Sequence, residues 1–171
     1  MQNIERKSIG KWISILHRQF QIYVNHEMKS YDLNSSEYIY LVNLAEKDDG
    51  VSQKYLSDKL YIDEALTTRV IRNLEKKGYV TRNKSLDDKR SYTVKLTEKG
   101  KNVQPVILDM LSRWTDILAT DMNEGEIDHI INKLKLMSKH ALLVTKGEIN
   151  EENRETLCGI ESILDQGLSE S

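Results

Sequence analysis

Thr68-Arg69-Val70-Ile71-Arg72-Asn73-Leu74-Glu75-Lys76-Lys77-Gly78-Tyr79-Val80-Thr81-Arg82 changes its period partway along. Leu66, Val70, Ile71 and Leu74 recur at helical steps, so one face of this segment is apolar. Gly78 follows Lys76-Lys77, where the last turn of a helix favours cations and the next residue favours a left-handed backbone. Past the glycine, Tyr79-Val80-Thr81-Arg82 is β-branched and aromatic, a strand signal. The stretch therefore reads as a helix that stops at a glycine and runs straight into a strand.

Working backward, Asp63 is placed to cap that helix. A short helix precedes it, capped by Ser52 and carrying Tyr55, Leu56 and Leu60. Residues 52–77 are thus two short helices joined by a tight turn. Working forward, Ser91-Tyr92-Thr93-Val94-Lys95-Leu96 is a second strand, and residues 83–90 between the strands are polar apart from Leu86. The pair is a hairpin with a long charged tip.

The flanks are helical. Ile9, Trp12, Ile13, Leu16, Phe20, Tyr23 and Val24 share one helical face. Asn34 and Glu37 form a capping box before a helix that holds Tyr38, Leu41, Val42, Leu44 and Ala45. Thr97 is a cap for a helix bearing Val103, Val106, Ile107, Met110, Leu111, Trp114 and Leu118, in which Pro105 predicts a kink or a start nearer Asn102. Asn123 and Glu126 form a second capping box, opening a helix through Ile127, Ile130, Ile131, Leu134, Met137, Ala141 and Val144, with Gly147 to close it. In the tail, Leu157, Ile160, Ile163, Leu164 and Leu168 keep helical spacing. The fold class expected is mainly α with a small β-hairpin: a winged helix-turn-helix plus long helices. The division expected is 1–32 as an N-terminal helix, 33–97 as the winged lobe, 98–147 as C-terminal helices and 148–171 as an acidic tail.

The chain has 171 residues and a formal charge of −2. That average hides an asymmetry. Residues 51–100 hold twelve basic side chains against seven acidic ones, while the last 26 residues hold two against seven. A basic island on the helix pair and hairpin is the footprint of a polyanion-binding segment. The second helix of such a pair fits the major groove, and the hairpin tip can reach the flanking backbone or minor groove.

Other classes find little support. No apolar run reaches the roughly 18 residues of a spanning helix, and Met1–Arg6 has no signal-type stretch, so a cytoplasmic protein without a membrane partner is expected. One cysteine, Cys158, excludes an intramolecular disulfide framework, and its acidic neighbours blunt its reactivity. His17, His26, His129 and His140 lack metal-ligand spacing. No glycine-rich phosphate loop, nucleophile elbow or catalytic carboxylate pair is present, so no enzyme, cofactor or metal is expected. A winged-helix docking module for another protein is the alternative, but docking does not require a basic island.

These segments resemble the MarR family (multiple antibiotic resistance regulators) of winged-helix transcription factors. The likeness is carried by Leu33-Asn34-Ser35-Ser36-Glu37-Tyr38, Val51-Ser52-Gln53-Lys54-Tyr55-Leu56, Thr68 to Arg82, Asp87-Asp88-Lys89-Arg90 and Leu96-Thr97-Glu98-Lys99-Gly100, in that order. The resemblance implies a homodimer held by the N-terminal and C-terminal helices. It further implies binding to double-stranded DNA at a pseudo-palindromic site, and repression of nearby genes released by a small aromatic effector. By the same resemblance Arg90 is a minor-groove contact braced by Asp88. Ala65, Leu66, Thr67, Thr68, Arg69 and Arg72 take the positions that face DNA. Arg82, Lys84 and Lys89 are phosphate contacts or steering charges, and Trp12, His17 and Tyr38 are effector candidates near the lobe junction. Ser52, Gln53 and Lys54 open a helix whose free N–H groups suit a phosphate, although Ser52 serves equally as a simple cap. Glu64 and Leu66 depart from the family pattern, which favours small polar or basic residues there.

Overall fold

The computed structural model describes residues 8–44, 50–84 and 92–145. Six helices are described: α1 (Ile9–Glu27), α2 (Tyr38–Leu44), α3 (Gln53–Leu60), α4 (Glu64–Lys76), α5 (Glu98–Leu118) and α6 (Glu124–Thr145). Three short strands join them: β1 (Val51–Ser52), β2 (Val80–Lys84) and β3 (Tyr92–Leu96). The chain divides into two compact units, Met1–Leu118 and Ala119–Ser171.

The expected caps are local interactions, and they are present. Asn34 N donates to Glu37 Oε2 at 3.1 Å, while the Asn34 side chain accepts from Ser36 N. Ser52 Oγ accepts from Tyr55 N, and Asp63 Oδ1 accepts from Leu66 N at 2.8 Å. At the end of α4, Gly78 N donates to the Glu75 carbonyl and Tyr79 N to the Leu74 carbonyl, with Gly78 at φ +77°. That is the paired closure a glycine permits at low conformational cost. Thr97 Oγ1 accepts from Gly100 N. Asn123 and Glu126 exchange bonds in a complete capping box.

The sheet order is β1-β3-β2, all antiparallel. The β2–β3 hairpin agrees with the strand signals, whereas β1 has no such signal in the sequence. Val51 pairs with Val94 and Ser52 with Thr93, which ties the start of α3 to the wing. Gly50, at φ +81°, lies against Val94 and Lys95 so closely that a Cβ would collide with them. Only glycine allows the chain to enter β1 there.

The core of the first unit is continuous. Val24 and Met28 of the α1 end, Tyr40, Leu41 and Leu44 of α2, Leu56, Ile71 and Leu74 of the helix pair, Val80 and Val94 of the sheet, and Val103, Ile107 and Met110 of α5 form one buried cluster. Each such side chain contributes about 1.5–3 kcal/mol on burial. Within the first unit α1 and α5 share this core with the winged lobe. The core also explains one difference from expectation: α5 starts at Glu98 and continues through Pro105. Val103 and Ile107, on either side of the proline, are buried and hold the helix together despite the missing N–H.

The apolar face of α1 is shared between two environments. Val24 is buried and Phe20 and Tyr23 are half-buried, against α2 and α5. Ile9, Trp12, Ile13 and Leu16 are exposed. In the second unit α6 has no buried residue, and Ile130, Ile131, Leu134 and Val144 are exposed. The described helices include none long and apolar enough to cross a membrane. Ala45, Gly147, the 148–171 tail and Cys158 lie outside the described residues.

Three buried tyrosines give the fold a pH dependence. Burial pushes the Tyr38, Tyr40 and Tyr79 phenols above their ordinary value; for Tyr40 the hydrogen bond to Thr67 opposes the shift without cancelling it. The native state thus favours the protonated phenol, whereas unfolded phenols ionise near pH 10. The contribution of these phenols to stability is fully present below that pH and is lost as pH rises through the raised native values. The urea midpoint is expected to be lower at about pH 10.5 than at about pH 8; an unchanged midpoint would show that the phenols do not contribute.

Candidate nucleic-acid interface

The helix pair is turned by Tyr61, which adopts a left-handed backbone at φ 54°. Tyr61 N and Ile62 N donate to the Asp58 and Ser57 carbonyls and close α3. From Asp63 onward α4 shows two opposite faces. Thr67, Val70, Ile71 and Leu74 point into the core. Ala65, Arg69, Arg72 and Lys76 are exposed at steps of four, three and four, which places them in one stripe on the outer face. Among the described residues Arg69, Arg72 and Lys76 have no ion-pair partner. Lys76 is not among the expected site residues, although the same helical spacing marks it.

Several expected site residues are engaged within the protein. Thr67 is fully buried and its hydroxyl meets Tyr40 Oη at 3.2 Å. It belongs to the inner stripe, so it corrects the expectation of an outward-facing position. Thr68 is half-buried and accepts from Gln53 Nε2 at 3.1 Å, a bridge between α3 and α4. Ser52 acts as the α3 cap. Leu66 is half-buried against the core. Lys54 is exposed and stands 3.6 Å from both Asp58 and Glu64. Exposed pairs of this kind contribute little stability, but they place an acid of α4 beside a cation of α3.

Arg82 departs most from expectation. Its side chain is only 10% exposed, its Nη1 lies 3.5 Å from Glu75 Oε2, and its guanidinium sits 4.3 Å from the Tyr92 ring centre. The register gives the reason. Val80 is buried on β2, and residues two apart share a face, so Arg82 shares the inward face. Lys84, at the end of β2, is exposed. Asp88, Lys89 and Arg90 lie outside the described residues.

Within one chain Trp12, His17 and Tyr38 are not brought together. Trp12 and His17 are exposed and point about 140° apart round α1. Tyr38 is buried edge-on against Phe20 at 5.8 Å, about 12 Å along α1 from Trp12.

At the base of the wing a second set of contacts joins α4 to the α1–α2 corner. Lys77 Nζ donates to Glu37 Oε2 at 2.9 Å and to the Asp32 carbonyl at 2.6 Å. Glu37 is 1% exposed. Lys99 donates to the Lys77 carbonyl and lies over the Tyr79 ring, and the Tyr79 hydroxyl donates to the Tyr31 carbonyl. The outer stripe of α4 therefore sits on a helix fixed at both ends: by Asp63 and the Gln53–Thr68 bridge at one, and by Lys77 at the other.

Comparison with known proteins agrees with this architecture. Residues 33–92 match the sequence profile of the MarR family. The chain is 26% identical over 151 residues to the HTH-type transcriptional regulator BilQ of Clostridioides difficile, covering 88% of this chain and 98% of that one. It is similar to a MarR transcriptional regulator of Methanosarcina mazei, with 38% identity, a TM-score of 0.73, and 80% and 97% of the two chains covered. It is also similar to a MarR-family regulator of Listeria monocytogenes solved in complex with a 26-mer DNA, with 29% identity, a TM-score of 0.75, and 85% and 99% covered. The chain belongs to the MarR family of winged helix-turn-helix transcriptional regulators.

Proposed function

We propose that this DNA-binding regulator acts as a homodimer on a pseudo-palindromic duplex site, placing α4 of each protomer in a major groove. The observation that carries the reading is the outer stripe of α4, where Arg69 and Arg72 are exposed without an ion-pair partner among the described residues. Arginine suits both guanine edges and phosphates. Ala65, Leu66 and Thr68 complete the groove-facing helix, while Ser52, Gln53 and Lys54 approach the backbone at the start of α3. In the wing, Lys84 and Lys89 meet phosphates, and Arg90, braced by Asp88, enters the minor groove.

The exposed apolar side chains of α1, α5 and α6, among them Trp12, Ile13, Leu16, Ile117, Ile130 and Leu134, support self-association, since monomers rarely leave so many uncovered. Half-sites are then one helical turn, about 10 bp, apart or a multiple of it. The protein acts in the cytoplasm as a repressor of nearby genes, released by a small aromatic molecule.

Footprinting on the DNA upstream of its own gene, with and without aromatic acids, tests this. A protected two-fold symmetric site is expected, with two chains bound. Arg69→Ala and Arg72→Ala should each cost about 1–3 kcal/mol of specific binding. Failure to retard duplex DNA at low salt would favour the docking-module reading.

A further inference from the structure

We propose that Arg82 is a positioning residue that fixes the angle between the wing and the recognition helix α4, and that it does not contact phosphate. The inference rests on the DNA-binding reading and assigns a different task to one of its basic residues.

Three observations carry it. The Arg82 side chain is nine-tenths buried, so the charge is not displayed to a ligand. Its guanidinium is held between the Glu75 carboxylate, in the last turn of α4, and the ring of Tyr92, the first residue of β3. Arg82 pairs with Val94 across the hairpin, so Tyr92 is its diagonal neighbour on the same face. The arrangement thus joins three elements: α4, β2 and β3.

Its position matters because the other anchors of the wing do not join its outer part to α4. At the base, Thr97 Oγ1 donates to the Gly78 and Tyr79 carbonyls, and Thr97 N donates to the Tyr79 carbonyl. Further out, β1 pairs with β3 and ties the hairpin to the start of α3. Arg82 lies two residues further out than Val80, about 7 Å along the strand, and its contact with Glu75 ties that part of the hairpin to α4 as well. A planar group is required: a guanidinium can stack on Tyr92 and face Glu75 together, whereas an ammonium is a point charge.

The test uses full-length Arg82→Lys, Glu75→Gln and their double variant. Binding is measured by fluorescence anisotropy on the footprinted duplex, on duplexes altered only at the flanks and on duplexes altered only in the core half-sites, over a range of salt. Arg82→Lys is expected to weaken binding about tenfold, with an unchanged salt slope and no remaining discrimination among flanking sequences. Core discrimination should remain. Glu75→Gln should weaken binding too, although it removes a negative charge from the DNA side, and the double variant should be no worse than Arg82→Lys alone.

The proposal is overturned if Arg82→Lys binds like wild type while Glu75→Gln binds more tightly, which is the signature of a simple charge. It is also overturned if core and flank discrimination fall together, which is the signature of general loss of structure. Tyr92→Leu removes the ring and should weaken binding and flank discrimination as Arg82→Lys does; wild-type binding there overturns the stacking role. Failure of wild type to bind any duplex would instead strike the DNA-binding reading itself.

Discussion

Lys77→Met is expected to lower unfolding stability by about 3 kcal/mol, the cost of leaving a buried charge without its partner. Glu37 is 1% exposed, and its Oε2 receives only the Asn34 N–H and the Lys77 ammonium. Its Oε1 is buried with no hydrogen-bond partner among the described residues. Methionine matches the length of lysine but supplies no charge, so the carboxylate stays buried with one donor. The reverse substitution is milder. In Glu37→Gln the amide oxygen still accepts from Asn34, and the Lys77 side chain, 23% exposed and 3.7 Å from Asp32 Oδ1, keeps a partner and access to water. About 1 kcal/mol is expected there, the scale of one ordinary hydrogen bond. The double variant Glu37→Gln/Lys77→Met should be more stable than Lys77→Met alone, because the uncompensated charge is gone. Urea titrations of the four proteins give the coupling directly. Additive losses would show that the pair is not energetically linked, and an equal loss from both single variants would contradict the asymmetry in burial.

The same interactions show where sequence reading reaches and where it stops. Asn34 with Glu37, Ser52, Asp63, Gly78 and Asn123 with Glu126 are all legible, because a cap is satisfied within three or four residues of itself. The outer stripe of α4 is equally legible through helical spacing, and that spacing includes Lys76. What escapes is settled by distant parts of the chain. β1 is two residues long and exists because β3, more than forty residues later, pairs with it. α5 passes through Pro105 because Val103 and Ile107 are held in a core built from seven other elements. Thr67 looks like a polar surface residue until its place between Asp63 and Val70 is counted round the helix. Arg82 carries a charge, and that charge masks the strand alternation that puts it beside Val80. In both cases the periodic signal is in the sequence and is hidden by residue type. The Glu37–Lys77 contact spans forty residues, and no local pattern reports it.

Engagement within the protein also sets the size of the second large effect. Affinity for an operator-length duplex is expected to fall about 10⁴-fold between 50 and 200 mM salt, because each neutralised phosphate contributes about −0.9 to the slope of log affinity against log salt. The basic side chains of residues 51–100 number twelve per chain, and if all met phosphate in a dimer the slope would exceed about −20. The structure argues for far fewer. Lys54 faces Asp58 and Glu64, Lys77 faces Glu37, Arg82 faces Glu75, and Lys99 lies over Tyr79. A cation already matched by a carboxylate displaces few counterions when DNA arrives. Arg69, Arg72, Lys76 and Lys84 are exposed without an ion-pair partner among the described residues. Four per protomer in a dimer give a slope of about −7, and phosphates met by Lys89 and Arg90 would steepen it. A slope shallower than about −4 would mean that a single protomer engages the duplex, which removes the dimeric reading. A flat response would remove the phosphate-binding role altogether. Arg72→Gln should make the slope shallower by about 2, since each protomer then neutralises one phosphate fewer, whereas Arg82→Lys should leave it where it was. The two arginines differ only in what already holds them, so the pair of slopes separates a side chain kept free for DNA from one that holds the wing in place.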